Sequence, residues 1–371
     1  MEHKEEKAVP AKKRKKPMSM FTATLHGLIF VTLWGLATTF YTFGKTYALR
    51  AGIIVLVGVV TAYLTQIVYY SIEDVIEKKK YVSFNEQMRS NWKKIKRGVP
   101  ELTGMIVALC FQIATPFYVI MIAVVLAEVV GKLMWGGFGK NKLNPAAVGF
   151  VLTSILFGYY STMPVVDAVT AATPLSIFAS NGWYLTEAYY QTFTYEFGGL
   201  ISLLIGTVPG PLAEVSRLAS ILALCYMIWK KAIKWTMPLL YLGTIFISAT
   251  VVGLIHGFPL SYPFFHLLKG GVIFAAVFMV TDPVTIPKTS SGKAIFAILL
   301  GMLTMILRLR FMAFSEGVLF AILIMNLFTT YINDKSSSLN KAPTSKQWTV
   351  YGLIGAVSII VVALLSLTMP Y

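Results

Sequence analysis

Long runs of apolar side chains, separated by short polar segments, dominate the chain from residue 26 to residue 369. A helix needs about 20 apolar residues to cross the ~30 Å hydrocarbon core of a membrane. The clearest runs with few ionisable side chains are 26–43, 49–70, 116–130, 144–159, 218–229, 237–254, 293–307, 316–331 and 348–369. Two further runs, 102–115 and 270–280, are shorter. The pattern predicts an all-α polytopic membrane protein with ten or eleven transmembrane helices.

The two short runs end at Ala114-Thr115-Pro116 and Thr281-Asp282-Pro283. Because proline lacks an N–H and its ring clashes with the preceding turn, each run predicts a broken helix. Such breaks are tolerated at membrane depth where protein or a cavity covers the freed backbone, so both should face inward. The first five runs and the next five also share an order of long and short elements, and an odd number of spans inverts the second unit. The sequence therefore predicts inverted five-helix repeats with broken helices, an arrangement in which transporters bind substrates at the repeat interface.

The placement of Lys and Arg beside the runs predicts the orientation of the chain. Residues 1–24 form a basic tail, expected in the cytoplasm and near anionic lipid headgroups, and the loop 72–98 carries eight Lys and Arg residues, also expected inside. The segment 160–197 has no Lys or Arg and is expected outside as an extracytoplasmic loop. Arg308 and Arg310 fall outside, against the rule, and the last run turns the C-terminus outward.

Composition and charge sharpen this interpretation. Hydrophobic residues make up 56% of the 371 positions and charged residues 13%, against about 25% charged in soluble domains. A net charge of +16 would suggest nucleic acid in a soluble protein, but most of the surplus lies in the tail and the loop, so no nucleic-acid partner is expected. Cys110 and Cys225 each stand alone, so the chain is expected to hold neither an iron–sulfur cluster nor structural zinc by itself.

Ionisable residues within apolar runs are costly and therefore mark candidate ion or substrate paths. Asp282 lies at the second break, and Glu214 follows a further break, Pro209-Gly210-Pro211. For both carboxylates two interpretations are open, namely capping of an exposed helix end or a role in an ion path. Glu128 and Lys132 are four residues apart and are expected to pair with each other.

The segment Asp167-Ala168-Val169-Thr170-Ala171-Ala172-Thr173 lies in the predicted outer loop. It closely resembles the flavin-attachment motif of the NqrB/RnfD family, which comprises the membrane protein RnfD of the Rnf complex and its counterpart NqrB in the sodium-pumping NADH:quinone oxidoreductase. The family pattern is Asp, two residues, Ser or Thr, any residue, Ala and Thr, here Asp167, Thr170, Ala172 and Thr173. The resemblance implies that Thr173 carries FMN through a phosphoester bond, made by a separate flavin transferase on the outer side.

Further segments are similar to the same family in order and spacing. They are the Gly-rich turn and Asn-Pro-Ala helix start at 136–146, and the segments 281–285, 292–296 and 316–323. The resemblance covers 25–334 as an NqrB/RnfD-like membrane domain and leaves 347–369 as an additional C-terminal transmembrane helix. It implies an FMN-carrying translocase subunit in the plasma membrane, inactive without the other subunits, that couples electron transport to sodium or proton transport. A second flavin is a further open expectation.

Two alternatives stay open on the sequence. One is a flavinylated subunit that passes electrons to extracellular acceptors without pumping ions, and the other is a channel-like transporter of the ammonium or urea type. If flavin is bound, the redox chemistry belongs to the cofactor, so no side chain is predicted to be catalytic.

Overall fold

A computed structural model describes residues 18–79, 81, 83–157, 190–191, 194–195, 198–310 and 317–368. Every regular element in these ranges is a helix. The α-helices are α1 (Met20–Phe43), α2 (Lys45–Ile76), α3 (Phe84–Gly98), α4 (Pro100–Cys110), α5 (Phe117–Val129), α6 (Pro145–Leu156), α7 (Gly199–Ile205), α8 (Leu212–Val215), α9 (Arg217–Trp229), α10 (Thr236–His256), α11 (Tyr262–Leu268), α12 (Val272–Phe278), α13 (Ser290–Arg310), α14 (Val318–Leu327), α15 (Thr329–Ser336) and α16 (Thr344–Ser366).

Each predicted apolar run contains one of these helices. In the described residues six helical segments are long and apolar enough to cross a membrane by themselves: α1, α2, the segment that begins with α5, α10, α13 and α16. Four further apolar helices, α4, α6, α9 and α14, are shorter, and α12 is shorter still. The prediction of an all-α, multi-pass membrane protein is confirmed, although only part of the predicted ten or eleven runs are full-length spans.

The two halves of the bundle repeat the same packed pairs. In the first half α2 packs on α4 and α5, and α6 packs on α4 and α5. In the second half α10 packs on α12 and α13, and α14 packs on α12 and α13. Glycines bring α2 and α4 very close, since a Cβ added at Gly104 would lie 2.5 Å from the carbonyl oxygen of Gly58. The recurring pairs support the predicted five-helix repeats.

Both predicted breaks are present. Helix α4 ends at Cys110 and α5 begins only after Pro116, so residues 111–116 are not helical. Helix α12 ends at Phe278, and α13 begins only at Ser290. The third break lies between α7 and α8, where residues 206–211 leave the helix. Helix α4 ends six residues before Pro116 and α12 ends five residues before Pro283, so each proline lies inside a break that begins before it.

The connection 72–98 differs from the expected loop. Helix α2 continues to Ile76, and α3 is a separate helix whose N-terminus is capped by Ser83, which accepts a 3.3 Å hydrogen bond from the Glu86 N–H. Asn91 on α3 donates a 2.8 Å hydrogen bond to the buried Asp74 on α2. Five of the eight basic residues thus lie on a folded helix, which begins where Ser and Glu three residues apart form a helix-start signal.

The predicted single run 316–331 is two helices in the structure. Helix α14 ends at Leu327 and α15 begins at Thr329. The side chains of Asn326 and Thr329 both donate hydrogen bonds to the carbonyl oxygen of Thr285, at 3.2 and 2.8 Å. The segment is therefore tied to the break after α12 at the point where the helix is interrupted.

Helix α16 packs along α13 and α10 and is attached near both of its ends. At one end Tyr351 donates a 3.0 Å hydrogen bond to Ser291, which lies at the start of α13. At the other end Arg310, the last residue of α13, donates a 2.7 Å hydrogen bond to the carbonyl oxygen of Thr368. The predicted additional C-terminal helix is thus fixed on the second repeat.

Candidate functional site

The predicted flavin-attachment residues Asp167, Thr170, Ala172 and Thr173 lie outside the described residues. The described part of the chain resumes at Tyr190, whose ring packs against Phe265 on α11 with 6.1 Å between ring centroids. The attachment motif therefore stays a prediction from the sequence, and the polar groups whose positions are described belong to the membrane domain.

A cavity of about 80 Å³ lies where α1, α4, α6 and α12 meet, and we call it the interhelix cavity. Its polar lining residues include Thr103, Lys132, Asn141, Asn144, Thr281 and Asp282. Aromatic walls are supplied by Phe21, Phe138 and Phe278. Since one water needs about 10–15 Å³, the cavity has room for a hydrated polar group inside the bundle. It joins the first repeat to the break of the second repeat.

Asp282 lines this cavity and also organises the break that follows α12. Its carboxylate accepts hydrogen bonds from the Val284 N–H at 3.1 Å and from the Thr285 hydroxyl at 3.0 Å. Both donors lie in the segment between α12 and α13, so the carboxylate stabilises a turn in that segment. These bonds cap neither helix, because the groups left unpaired at the end of α12 are carbonyl oxygens. The position of Asp282 on the cavity keeps the ion-path interpretation open.

Lys132 and Glu128 form a buried ion pair beside the same cavity, as their spacing predicted. The Lys132 ammonium lies 3.0 Å from Glu128 and donates hydrogen bonds to Thr103 at 2.7 Å and to the Gly98 carbonyl at 3.0 Å. The other Glu128 oxygen accepts a 2.8 Å hydrogen bond from Gln66 on α2. Both charges are almost fully buried, and the network joins α2, α4, α5 and the end of α3.

The Asn144 side chain begins α6, and Asn326 ties that start to the second repeat. The Asn144 side chain accepts a hydrogen bond from the Ala147 N–H, at 3.2 Å. The Asn144 N–H donates to the side chain of Asn326, at 2.8 Å. The Asn326 side chain in turn donates a hydrogen bond to the Thr285 carbonyl. One amide therefore joins the start of α6 to the segment between α12 and α13.

Glu214 lies away from the interhelix cavity. It is buried on α8 and faces Arg217 with 3.6 Å between charged atoms, and Arg217 also donates a 2.7 Å hydrogen bond to the Leu203 carbonyl. A smaller cavity, about 10 Å³, is lined by Glu214, Cys110 and residues from the start of α12 and α14. The structure therefore does not bring the two ion-path candidates, Asp282 and Glu214, to one site.

Arg308, which the predicted orientation places outside against the charge rule, lies near the end of α13. It is fully buried and donates hydrogen bonds to the carbonyls of His266 and Lys269, at 2.6 and 2.9 Å. Lys132 has the equivalent partner in the first repeat, since it binds the Gly98 carbonyl at the end of the helix that precedes α4. In the first repeat the cation lies after α5 and binds a carbonyl that precedes the short helix α4. In the second repeat the cation lies near the end of α13 and binds carbonyls that precede the short helix α12.

The interpretation of the sequence missed Arg50, which lies in the apolar run of α2. Its guanidinium donates hydrogen bonds to three successive carbonyls of the first break, those of Ile113 at 2.7 Å, Ala114 at 3.1 Å and Thr115 at 3.3 Å. The signal was available, because an arginine inside an apolar run requires polar partners within the protein. What the sequence lacked was the identity of those partners, which lie more than 60 residues away.

Comparisons with known proteins identify the family of this chain. The model of the NQR2, RnfD, RnfE family matches residues 16–338. The chain is 34% identical over 256 residues to the D subunit of the proton-translocating ferredoxin:NAD(+) oxidoreductase complex of Clostridium ljungdahlii, covering 67% of this chain and 76% of that protein. It is 32% identical over 314 residues to the D subunit of the Na(+)-translocating ferredoxin:NAD(+) oxidoreductase complex of Acetobacterium woodii, covering 83% and 86%. The D subunit of the ion-translocating oxidoreductase complex of Escherichia coli is 28% identical over 270 residues, covering 62% of this chain and 74% of that protein.

Proposed function

Because the chain belongs to the NQR2, RnfD, RnfE family, we propose that it is the FMN-carrying membrane subunit of an Rnf-type ion-translocating oxidoreductase complex. In this role it relays electrons within the complex and couples their flow to sodium or proton transport. The observation that carries the proposal is the extent of the family match, which spans both repeats and includes the segment with the attachment motif. The other subunits of the complex are its partners, and it does not act alone.

Thr173 is the proposed attachment residue, and its hydroxyl would carry the phosphate of FMN. Asp167, Thr170 and Ala172 would form the motif that a flavin transferase reads. FMN supplies the electron-carrying group when it is bound, whereas the chain supplies position and polarity. A covalent link suits an exposed loop, since a dissociable cofactor would be lost into a large outside volume.

The orientation follows from the charge rule. The basic tail and α3 would lie on the cytoplasmic side, where anionic lipid headgroups attract Lys and Arg, and the loop 160–197 would lie outside. With this orientation the interhelix cavity faces the cytoplasm and the Arg50 end of the bundle faces outward. The buried Arg308 does not contradict the rule, because protein carbonyls bind its charge.

The interhelix cavity is the proposed inner part of the ion path. Asp282 supplies a carboxylate for a cation at the broken end of α12. The Asn141 side-chain oxygen is buried and accepts no hydrogen bond from the described residues, so it is a further oxygen for a cation in this cavity. At about 80 Å³ the cavity is far smaller than the ~300–1,000 Å³ of ordinary ligand sites, so it is not proposed for the second flavin. Glu214 remains a candidate for a separate, outer part of the path.

The test of this function is flavin retention by the purified chain after co-expression with its transferase. Acid-denatured protein should show a fluorescent flavin band on a gel, and Thr173→Ala should abolish it, because the phosphoester has no hydroxyl to form on. Thr162→Ala, a matched change in the same loop outside the motif, should keep the band. A second, non-covalent flavin would appear in the acid supernatant.

Different results would contradict different parts of the proposed function. A wild-type chain without a fluorescent band would refute FMN carriage, whereas a band that survives Thr173→Ala would move the attachment site. In the reconstituted complex, electron transfer that is stimulated by sodium indicates Na⁺ as the coupling ion. Electron transfer that becomes faster when a protonophore is added indicates protons. Electron transfer with neither response would favour a flavinylated subunit that serves extracellular acceptors without pumping.

A further inference from the structure

Arg50 is a cation whose hydrogen-bond acceptors among the described residues are all backbone carbonyls. It lies six residues into α2, about 8 Å along the helix axis from Lys45. Its side chain is partly buried, and its guanidinium carbon lies 5.1 Å from the centroid of the Phe117 ring. Among the described residues no carboxylate forms an ion pair with it. Its charge is therefore balanced by dipoles alone within this part of the chain.

The partner carbonyls belong to the non-helical segment between α4 and α5. Helix α4 ends at Cys110, so the carbonyls of Ile113, Ala114 and Thr115 lie three to five residues beyond it. Unwound backbone carbonyls beside discontinuous helices coordinate Na⁺ in membrane transporters. Here the three carbonyls bind the Arg50 guanidinium.

A further oxygen in this break lacks a donor. The side chain of Gln112, which directly precedes these residues, is 8% exposed, and its Oε1 has no hydrogen-bond partner among the described residues. A buried amide oxygen without a donor is costly, and a cation would satisfy it. The oxygens together carry no formal charge, so they suit a monovalent cation better than a divalent one.

We propose that the carbonyl oxygens of Ile113, Ala114 and Thr115, with the side-chain oxygen of Gln112, form a monovalent-cation site that the Arg50 guanidinium occupies as a tethered cation. As a station of the ion path the site rests on the proposed ion-translocating function, whereas its affinity for a cation does not. The two breaks then carry side chains of opposite charge, since the Asp282 carboxylate lies at one break and the Arg50 guanidinium occupies the other. A mobile cation reaching the Arg50 break must displace the arginine.

A cation site and a simple carbonyl cap predict different results when Arg50 is removed. If Arg50 only caps carbonyls, its removal destabilises the protein equally in every salt. If the carbonyls form a cation site, a small cation restores the lost stability after Arg50→Ala. A saturating cation at about 100 times its Kd would raise Tm by about 3 °C in a chain of this length.

The experiment measures Tm of the full-length chain in detergent, in 200 mM NaCl and in 200 mM choline chloride. We expect Arg50→Ala to be destabilised in choline and to gain the Na⁺-dependent rise, and wild type to show no difference. Arg50→Gln, which keeps amide donors, should behave in the same way with a smaller loss in choline. Adding Gln112→Leu to Arg50→Ala should reduce the Na⁺ effect. If Arg50→Ala folds only when it is purified in NaCl, that yield difference is itself the expected result.

Arg310→Ala is the matched control, because it removes an arginine that binds one carbonyl elsewhere. Equal Tm values in NaCl and choline for both Arg50 variants would overturn the proposal, as would the same Na⁺ rise in Arg310→Ala. The readout needs no flavin. A fluorescent FMN band without Na⁺ rescue would thus refute the cation site and leave the proposed function intact, and Na⁺ rescue without a band would do the reverse.

Discussion

Replacing Lys132 with Met is the most direct test of the buried polar network. The substitution keeps the length and apolar volume of the side chain but removes its charge and its hydrogen bonds to Glu128, Thr103 and Gly98. Glu128, which is 0% exposed, keeps the 2.8 Å hydrogen bond from the Gln66 amide, a neutral donor. A carboxylate is thereby buried without a counter-charge.

The size of the effect follows from this burial. Removing one partner of a buried ion pair costs about 3–5 kcal/mol, because the remaining charge stays desolvated. Unfolding entropy of about 2.1 cal/mol/K per residue gives about 0.8 kcal/mol/K for a chain of this length, so Tm should fall by about 4–6 °C. The double variant Glu128→Leu, Lys132→Met should recover at least half of the loss, because an apolar pair replaces the lone charge.

The assay is thermal unfolding of the purified chain in one detergent, followed by tryptophan fluorescence at low and high ionic strength. Lys140→Met is the matched control, since Lys140 is exposed and close in sequence, and it should leave Tm unchanged. The loss in Lys132→Met should be nearly independent of salt, because buried pairs are weakly screened. Equal Tm values for the two lysine variants, or a double variant less stable than either single one, would refute the reasoning.

Two further substitutions test the helix contacts by the same Tm measurement. Gly104→Ala should lower Tm by about 1–4 °C, because its Cβ would lie 2.5 Å from the Gly58 carbonyl, whereas Gly355→Ala, where a Cβ meets nothing within 4 Å, should not; equal effects would exclude close helix approach as the cause. Asn326→Leu should cost about 1–3 kcal/mol, because it leaves the Asn144 N–H without an acceptor, whereas the Thr285 carbonyl keeps the Thr329 hydroxyl. A stable leucine variant would show that this amide does not hold the two repeats together.

Local signals in the sequence were sufficient for the apolar helices and their breaks, but no predicted run includes α3 or α11. Apolar runs located the apolar helices, because a membrane span depends on composition over about 20 neighbouring residues. Pro116 and Pro283 located the breaks, because proline acts on its own turn. The start of α3 was also readable from Ser83 and Glu86, but the density of Lys and Arg around it favoured a solvated loop.

Partners distant in sequence could not be predicted. Arg50 and the carbonyl of Ile113 are 63 residues apart, and the Asn144 N–H and Asn326 are 182 residues apart. Only the packing of α2 on α4 and of α6 on α14 brings these groups together. Asp282 was recognised from its break, yet its shared cavity with Lys132 depends on how the two repeats meet. The attachment motif is the opposite case, since Thr173 is predicted from its neighbours in sequence alone and stays a prediction.

The attachment of α16 at both ends has a consequence for how the molecule can move. Tyr351 and the carbonyl of Thr368 hold this helix to the first and last turns of α13, and α16 also packs on α10. Any displacement of α13 relative to the first repeat therefore carries α16 with it. The non-helical residues 111–116 and 279–289 are the breaks of the first and second repeats, where the backbone can bend without loss of helical hydrogen bonds. The C-terminal helix, which lies beyond the family match, thus adds mass and two hydrogen bonds to the part of the second repeat that follows its break.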